Sequence, residues 1–249
     1  MPRYPSRYST YSSFSFGPGP VSSTLKTLIA VNVVVFLAQS IMPQLTVVFG
    51  LQPILVVRGW FWQLASYMFL HGGLFHILFN MLALWMFGAE LERLWGTRYF
   101  LRFYFVTGIG AGLLTVLFSF LPFDAARQVY YSNVIGASGA IYGLLLAYGL
   151  YFPDRPIYMY LVFPIPARYF VIIMGAIAFY LSLSERGGGV ANATHLGGLA
   201  VAYLLIRGTD LHPLAEVKYR YRKWQLNRAR KKFDVYSGGR AKDWDRRVH

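Results

Sequence analysis

The chain contains no cysteine among its 249 residues. This absence excludes disulfide bonds, thiolate nucleophiles and cysteine-ligated metal sites, and it leaves the redox compartment open. Charged residues are also scarce, at 14% of the chain, whereas 56% of the residues are hydrophobic. Because the hydrophobic residues form runs too long for the core of a soluble domain, the composition predicts a polytopic membrane protein.

Acidic residues are the rarer charges, with 10 Asp and Glu against 24 Lys and Arg and a net charge of +14. In a soluble protein this excess would suggest nucleic-acid binding. Here the basic side chains concentrate in residues 208–249, directly after the last hydrophobic run, which is typical of a cytoplasmic tail beside anionic lipid headgroups. We therefore expect a lipid bilayer and no nucleic acid as the partner of this tail.

Six hydrophobic segments predict an all-α fold with six transmembrane helices. Residues 1–21 have no apolar core and predict a flexible cytoplasmic arm rather than a signal peptide. The basic tail then places both termini in the cytoplasm and leaves residues 22–207 as the membrane domain. Between the first two spans, residues 43–70 are rich in Pro, Gly and Trp and predict a long structured loop at the membrane interface. Residues 124–133 predict a short polar loop. The predicted spans are residues 25–42, 73–88, 99–121, 138–152, 167–183 and 190–206.

Ser138 begins the fourth span within the small-residue stretch Gly136-Ala-Ser-Gly139. A helix that starts with small residues permits close backbone approach, and its free N–H groups stabilise negative charge. The serine is therefore a candidate nucleophile. A second interpretation is packing alone, because Gly139 and Gly143 form a small-xxx-small pair of the kind found between membrane helices.

Two other spans carry polar residues at the same predicted depth. His76 and Asn80 share one face of the second span, His71 precedes them, and His195 lies in the sixth span. Polar groups at membrane depth are costly and indicate a site. A metal site is a rival interpretation, but His71 and His76 are five residues apart and no carboxylate lies at ligand spacing, so we predict neither metal nor cofactor.

A serine becomes a nucleophile when a base within hydrogen-bond reach accepts its proton, and Ser138 and His195 suit these two roles. Since no acidic residue lies at this depth, we predict a dyad whose imidazole is oriented by packing or by Tyr142. Acyl transfer also needs donors to a developing oxyanion. The His76 ring, the Asn80 amide and the backbone at Gly136 and Ser138 are the candidates.

These motifs together resemble the rhomboid intramembrane serine proteases: His71-x4-His76-x3-Asn80, then Gly136-Ala-Ser138-Gly139 with Tyr142 and Gly143, then Thr194-His195-x-x-Gly198. The resemblance covers about residues 22–207. It implies a six-helix bundle with a Ser138/His195 dyad, Tyr142 packed on His195, and an oxyanion site formed by His76, Asn80 and the Ser138 backbone. It also implies a water-filled cavity that opens outward and is capped by residues 185–189.

Two positions depart from the family pattern. The family often has Trp-Arg in the first loop, where this chain has Trp62-Gln63, and it usually has alanine where this chain has Thr194. Neither change removes a catalytic group. Our first hypothesis is an intramembrane endopeptidase of the cell membrane that cleaves transmembrane protein substrates. The alternatives are a catalytically silent binder of transmembrane helices and a small transporter, although a transporter often shows internal repeats that this chain lacks.

Overall fold

A computed structural model describes residues 20–159, 163–182 and 189–210 of the chain. These residues are mostly helical, as the composition predicts. A 3-10 turn, Tyr67–Phe69, follows α4. The α-helices of the described parts are α1 Ser23–Ile41, α2 Gln44–Phe49, α3 Pro53–Val56, α4 Gln63–Ser66, α5 Leu74–Trp95, α6 Thr97–Phe118, α7 Asp124–Tyr131, α8 Ser138–Tyr151, α9 Ala167–Ser182 and α10 Gly189–Asp210.

Three of these helices, α1, α5 and α6, are long and apolar enough to cross a membrane. Helices α8 and α9 are also apolar but have only 14 and 16 residues. At 1.5 Å per residue they extend about 21 and 24 Å, less than the ~30 Å hydrocarbon layer. Helix α10 has 22 residues and carries Asn192, Thr194 and His195 in its first turns. A helical membrane protein is thus confirmed, and six crossings stay a prediction.

The connections contain more regular structure than the sequence suggests. The segment predicted as a loop between the first two spans contains α2, α3, α4 and the 3-10 turn. The predicted polar loop after the third span contains α7, which starts with Asp124 and buries Ala126 and Val129 on one side. An acidic first residue and an i, i+3 apolar pair both favour a short helix, although the overall polarity of the segment hides them.

A short antiparallel hairpin departs from a purely helical fold. Strands Pro156–Met159 (β1) and Phe163–Pro166 (β2) join α8 to α9, with Ile157 opposite Ile165. Arg155 forms an ion pair with Glu90 of α5 where the hairpin begins. The four prolines in and beside this segment prevent a continuous helix from α8 to α9.

Helices α6, α8 and α10 cross at small residues. A Cβ atom at Gly143 of α8 would lie 2.2 Å from Cγ2 of Thr107 in α6. A Cβ atom at Gly198 of α10 would lie 2.0 Å from the carbonyl oxygen of Gly139 in α8. The backbones of α8 and α10 are therefore in direct contact, which only glycine allows. We call the place where these helices meet the helix crossing.

The ends of the chain and two connections lie outside the described residues. These are nearly all of the predicted cytoplasmic arm, the basic tail beyond residue 210, residues 160–162 between the two strands, and residues 183–188, which include most of the predicted cavity cap.

Candidate active site

Ser138 is the first residue of α8, at the helix crossing. Gly136, two residues before Ser138, has a φ of +125°, a backbone conformation that favours glycine. Its N–H donates to the carbonyl oxygen of Tyr67 at 2.9 Å, which fixes the turn into the helix. The serine thus lies at a helix N-terminus, where the first backbone N–H groups have no intrahelical acceptor and the helix dipole favours negative charge.

His195 of α10 faces this serine from across the crossing. Its Nε2 lies 2.8 Å from Oγ of Ser138, although the two residues are 57 positions apart in the chain. Its Nδ1 is buried and has no hydrogen-bond partner among the described residues. With the proton on Nδ1, Nε2 is an acceptor for the serine hydroxyl.

The Tyr142 ring stacks on the imidazole. The two ring centroids are 4.2 Å apart and the planes differ by 4°. Since Tyr142 is four residues after Ser138, both side chains project from the same face of α8. The structure therefore brings together the serine, the histidine and the tyrosine that the sequence singled out.

Thr194, the residue before His195, bonds to the neighbouring helix. Its Oγ1 lies 2.8 Å from Oγ1 of Thr115 on α6, and both hydroxyls are buried. Thr115 donates its proton to the carbonyl oxygen of Ala111, so Thr194 is the donor to Thr115. The methyl group of Thr194 also lies 3.2 Å from the position of a Cβ at Gly139. Thr194, where the family usually has alanine, thus fits the helix crossing and adds a hydrogen bond between α10 and α6.

His76 of α5 lies beside Gly136, close to Ser138. Its Nδ1 accepts a hydrogen bond of 3.2 Å from the backbone N–H of Gly72, so the neutral ring carries its proton on Nε2. A Cβ built at Gly136 would lie 2.8 Å from this Nε2 and 3.7 Å from Oγ of Ser138. The Nε2–H therefore faces the space beside the serine, and only glycine at position 136 leaves that space open.

Asn80 and Gly136 are less free to donate than the sequence suggests. Nδ2 of Asn80 donates to the carbonyl oxygen of His76 at 2.8 Å, which occupies one of its two hydrogens. The N–H of Gly136 is already bonded to Tyr67. Of the predicted oxyanion residues, His76 has the clearest geometry, and Ser138 is the first residue of α8, where a backbone N–H has no intrahelical acceptor. Gly136 contributes a positive φ and the open space beside His76.

His71 is buried just before α5, and its ring meets the His76 ring edge-on with centroids 5.0 Å apart. Burial, together with the neighbouring His76, lowers the pKa of His71 to about 4, so this imidazole is neutral at physiological pH. Within the described residues there is no group of three or more His, Asp or Glu that could hold a metal ion.

Sequence reasoning did not connect three residues with the site that they hold together. They are Tyr67, whose carbonyl fixes Gly136, Thr115, which bonds Thr194, and Gln39, which accepts from the N–H of His71. Each acts on a residue far away in the chain, and none belongs to a local motif. The sequence offers a partial signal for Gln39, because Asn32 and Gln39 are seven residues apart on one face of the first span, a spacing that predicts a structural hydrogen-bonding role for both. The bonds of Gln39 to His71 and Thr46 agree with that role, but the partners were not predictable.

The fold and the site define a helical membrane protein with a serine–histidine pair at a buried helix crossing. A family model described as the Rhomboid domain matches residues 58–209, more than half of the chain. The chain belongs to the rhomboid family, which confirms the resemblance found in its motifs.

Curated relatives agree with this assignment. Rhomboid protease AarA of Providencia stuartii is 29% identical over 224 residues, which cover 80% of this chain and 78% of that protein. Rhomboid protease GluP of Bacillus subtilis is 35% identical over 145 residues, or 58% of this chain and 25% of that protein. Rhomboid protein 1, mitochondrial, of Saccharomyces cerevisiae is 32% identical over 137 residues, which cover 55% of this chain. The matched part spans 38% of the yeast protein, so two of these relatives are much longer than their region of similarity.

Proposed function

We propose that this protein is an intramembrane serine endopeptidase that hydrolyses peptide bonds in or near the transmembrane segments of membrane proteins. The observation that carries the proposal is the 2.8 Å approach of Nε2 of His195 to Oγ of Ser138 at the helix crossing. Two of the relatives are named as proteases, which supports the same reaction class.

In the proposed mechanism His195 accepts the hydroxyl proton as Ser138 attacks the scissile carbonyl carbon. The imidazolium then returns that proton to the leaving amine, and an acyl-enzyme ester remains on the serine. Water, deprotonated by the same imidazole, attacks the ester, and the proton passes back to the serine oxygen as the acid product leaves. The reaction uses side chains of the chain itself and needs no cofactor.

The oxyanion that forms at each tetrahedral step is assigned to the space beside Gly136. Nε2–H of His76 and the backbone N–H of Ser138 are the proposed donors, with Asn80 in a supporting role. One such donor is worth roughly 3–4 kcal/mol in a well-studied protease. Tyr142 replaces the missing third member of a triad by holding the imidazole plane through stacking.

The placement in the membrane follows from the same proposal. Residues 22–207 form the membrane domain, with residues 1–21 and 208–249 in the cytoplasm of a cell-membrane protein and the basic tail near anionic headgroups. The cavity at Ser138 then opens outward, under a cap at residues 185–189. Substrate helices must unwind there to expose a carbonyl carbon.

Cleavage of a reporter transmembrane substrate in liposomes tests the proposal. We compare the wild type with Ser138→Ala and His195→Ala, and use Ser132→Ala as the matched control, because among the described residues the Ser132 hydroxyl bonds only to the carbonyl of Gln128 in its own turn. Wild type and Ser132→Ala should cleave the reporter at equal rates. The cleavage rates of Ser138→Ala and His195→Ala should fall by at least about a thousandfold.

Equal cutting by Ser138→Ala would overturn the proposal. If folded wild type leaves a panel of substrates intact but retains them on co-purification, the helix-binding alternative replaces the protease.

A further inference from the structure

The segment that precedes α5 is held by a side chain of α1. Oε1 of Gln39 accepts the backbone N–H of His71 at 2.9 Å, and Nε2 of Gln39 donates to Oγ1 of Thr46 at 2.9 Å. Since a backbone N–H can only donate, the orientation of the amide is set. Gln39 is buried, so these bonds replace water that is not available there.

The residue after His71, Gly72, forms a hydrogen bond with the His76 ring through its backbone N–H. The N–H of Gly72 donates to Nδ1 of His76, and this is the hydrogen bond that the His76 ring makes within the described residues. Gly72 and Gly73 form the link into α5, and glycine has the largest backbone freedom of any residue. The link itself cannot hold the donor in place, so its position depends on what anchors His71.

The position of that donor decides which nitrogen of His76 carries the proton. While Nδ1 accepts from Gly72, Nε2 is protonated and faces the space beside Gly136 and Ser138. A ring with the proton on Nδ1 would present a lone pair to that space. A lone pair repels the developing oxyanion, whereas an N–H stabilises it.

We propose that Gln39 is a positioning residue for His76: through His71 and Gly72 it fixes the imidazole tautomer that presents Nε2–H beside Ser138. Gln39 does not touch the reacting atoms. The inference rests on the proposed function only for its effect on rate, since the tautomer of His76 exists with or without activity.

Gln39→Met removes both hydrogen bonds at nearly constant volume. We expect kcat for the reporter substrate to fall roughly 10- to 100-fold, as for a misplaced catalytic group, with KM within about twofold of wild type. The matched control is Asn32→Leu, seven residues earlier on α1. Asn32 is also a buried amide, but within the described part of the chain its Nδ2 bonds only to the carbonyl of Leu28. This variant should keep kcat within about threefold.

Thr46→Val separates the two arms of the Gln39 amide. It removes the acceptor of Nε2 and leaves the bond from Oε1 to His71 in place. We expect a smaller loss of kcat than for Gln39→Met, under about threefold. A loss equal to that of Gln39→Met would show that the amide acts on α2 rather than on His71 and would overturn the proposal.

Nitrogen-15 NMR of the histidine rings provides the readout that a merely structural role would not change. The chain has five histidines, and comparison with His76→Gln assigns the signal of His76. At a pH of about 8, above the ordinary histidine pKa, wild type should show protonated Nε2 and unprotonated Nδ1. Gln39→Met should move both shifts toward the values of a mixture of tautomers, and Asn32→Leu should not.

A wild-type spectrum from Gln39→Met, or a kcat loss no larger than that of Asn32→Leu, overturns the proposal. If wild type cleaves nothing while the tautomer changes as expected, the proposed function fails and the positioning role of Gln39 stands.

Discussion

The helix crossing and the segment between α1 and α5 bring distant backbone together in different ways. At the crossing, the missing side chains of Gly139 and Gly198 let two helices touch directly. In the connecting segment, residues 42–73, side chains fill the distance and bond to backbone groups. Gln63 is fully buried there, with Oε1 accepting from the N–H of Gln52 at 3.0 Å and Nε2 donating to the carbonyl of Val48 at 3.2 Å.

Further bonds of the connecting segment follow the same pattern. Nε1 of Trp62 donates to the carbonyl of Val48 at 3.0 Å, and Oγ of Ser66 donates to the carbonyl of Phe49 at 2.7 Å. Short helices leave many backbone groups without partners, and these side chains satisfy them. The helix crossing should therefore be destabilised by substitutions that add atoms, and the connecting segment by substitutions that remove polar atoms.

The largest effect is expected from one methyl group at the crossing. In Gly198→Ala the new Cβ would lie 2.0 Å from the carbonyl oxygen of Gly139, so α8 and α10 must separate. We expect a loss of about 3 kcal/mol or more in unfolding free energy, and loss of cleavage because Ser138 and His195 lie on the two helices that part. Thermal unfolding in detergent micelles measures the first effect, and the reporter assay measures the second.

Gly175→Ala is the matched control for this substitution. Gly175 lies inside α9, and its Cβ would meet Cδ1 of Leu199 at an ordinary 3.4 Å. Alanine is favoured over glycine in a helix by about 1 kcal/mol, so this variant should be as stable as wild type or more so. Equal destabilisation by both variants would mean that the crossing is not specially close-packed.

The second largest effect on the free energy of unfolding is expected from the loss of a side-chain amide in the connecting segment. Gln63→Leu keeps the volume but leaves the N–H of Gln52 without its partner, whereas the carbonyl of Val48 loses one of its two donors and keeps the bond from Trp62. An unsatisfied buried group costs about 1–3 kcal/mol, and we expect a loss of about 2 kcal/mol. Glutamine here fills the position where the family often has arginine, so a neutral amide is enough to bind the loop carbonyl.

Gln52→Met tests whether this loss is specific. Its Nε2 donates to the carbonyl of Val47 at an exposed site, where water can replace it. This control should cost less than about 0.5 kcal/mol. A Gln63→Leu protein with unchanged unfolding temperature would contradict the view that side-chain amides hold the connecting segment.

The difference between the helix crossing and the connecting segment also explains which parts of the structure were predictable from the sequence. The hydrophobic runs predicted helices that correspond to α1, α5, α6, α8, α9 and α10, because long apolar periodicity is a local signal. The motifs also singled out the residues that the structure places together at the crossing, Ser138, Tyr142 and His195. Glycine and small-residue spacing is visible in the sequence even before the partner helix is known.

Structure that depends on distant partners was not predicted. Gln39 and His71 are 32 residues apart, and Thr115 and Thr194 are 79 apart. A hydrogen bond between such residues leaves no periodic trace in a single sequence. Helix α7 and the pairing of the two hairpin strands were missed for a related reason, since each element is short and its sequence pattern is weaker than its tertiary contacts. The prolines predict only that residues 157–163 are extended.

A smaller effect should come from removing a polar atom at the crossing. Thr194→Ala restores the residue usual in the family and removes the bond to Thr115, at an expected cost of about 1–2 kcal/mol. A double-mutant cycle with Thr115→Ala should give a coupling free energy of about 1 kcal/mol. Thr107→Ala on α6 is the control, because the Thr107 hydroxyl has no hydrogen-bond partner among the described residues. Additive effects of Thr115→Ala and Thr194→Ala would show that the crossing gains nothing from the hydrogen bond.

The smallest effect should come from adding an atom to the connecting segment. Gly59 has a φ of +102°, but no atom lies within 4 Å of its Cβ position, so Gly59→Ala meets backbone strain without a collision. The left-handed region costs a non-glycine residue about 1–2 kcal/mol, and we expect a loss of about 1 kcal/mol with cleavage unchanged. Gly136→Ala has the same kind of φ but also collides with the His76 ring, so it should abolish cleavage. If Gly59→Ala reduced cleavage as strongly as Gly136→Ala, strain alone would explain both, and the space beside His76 would not be part of the site.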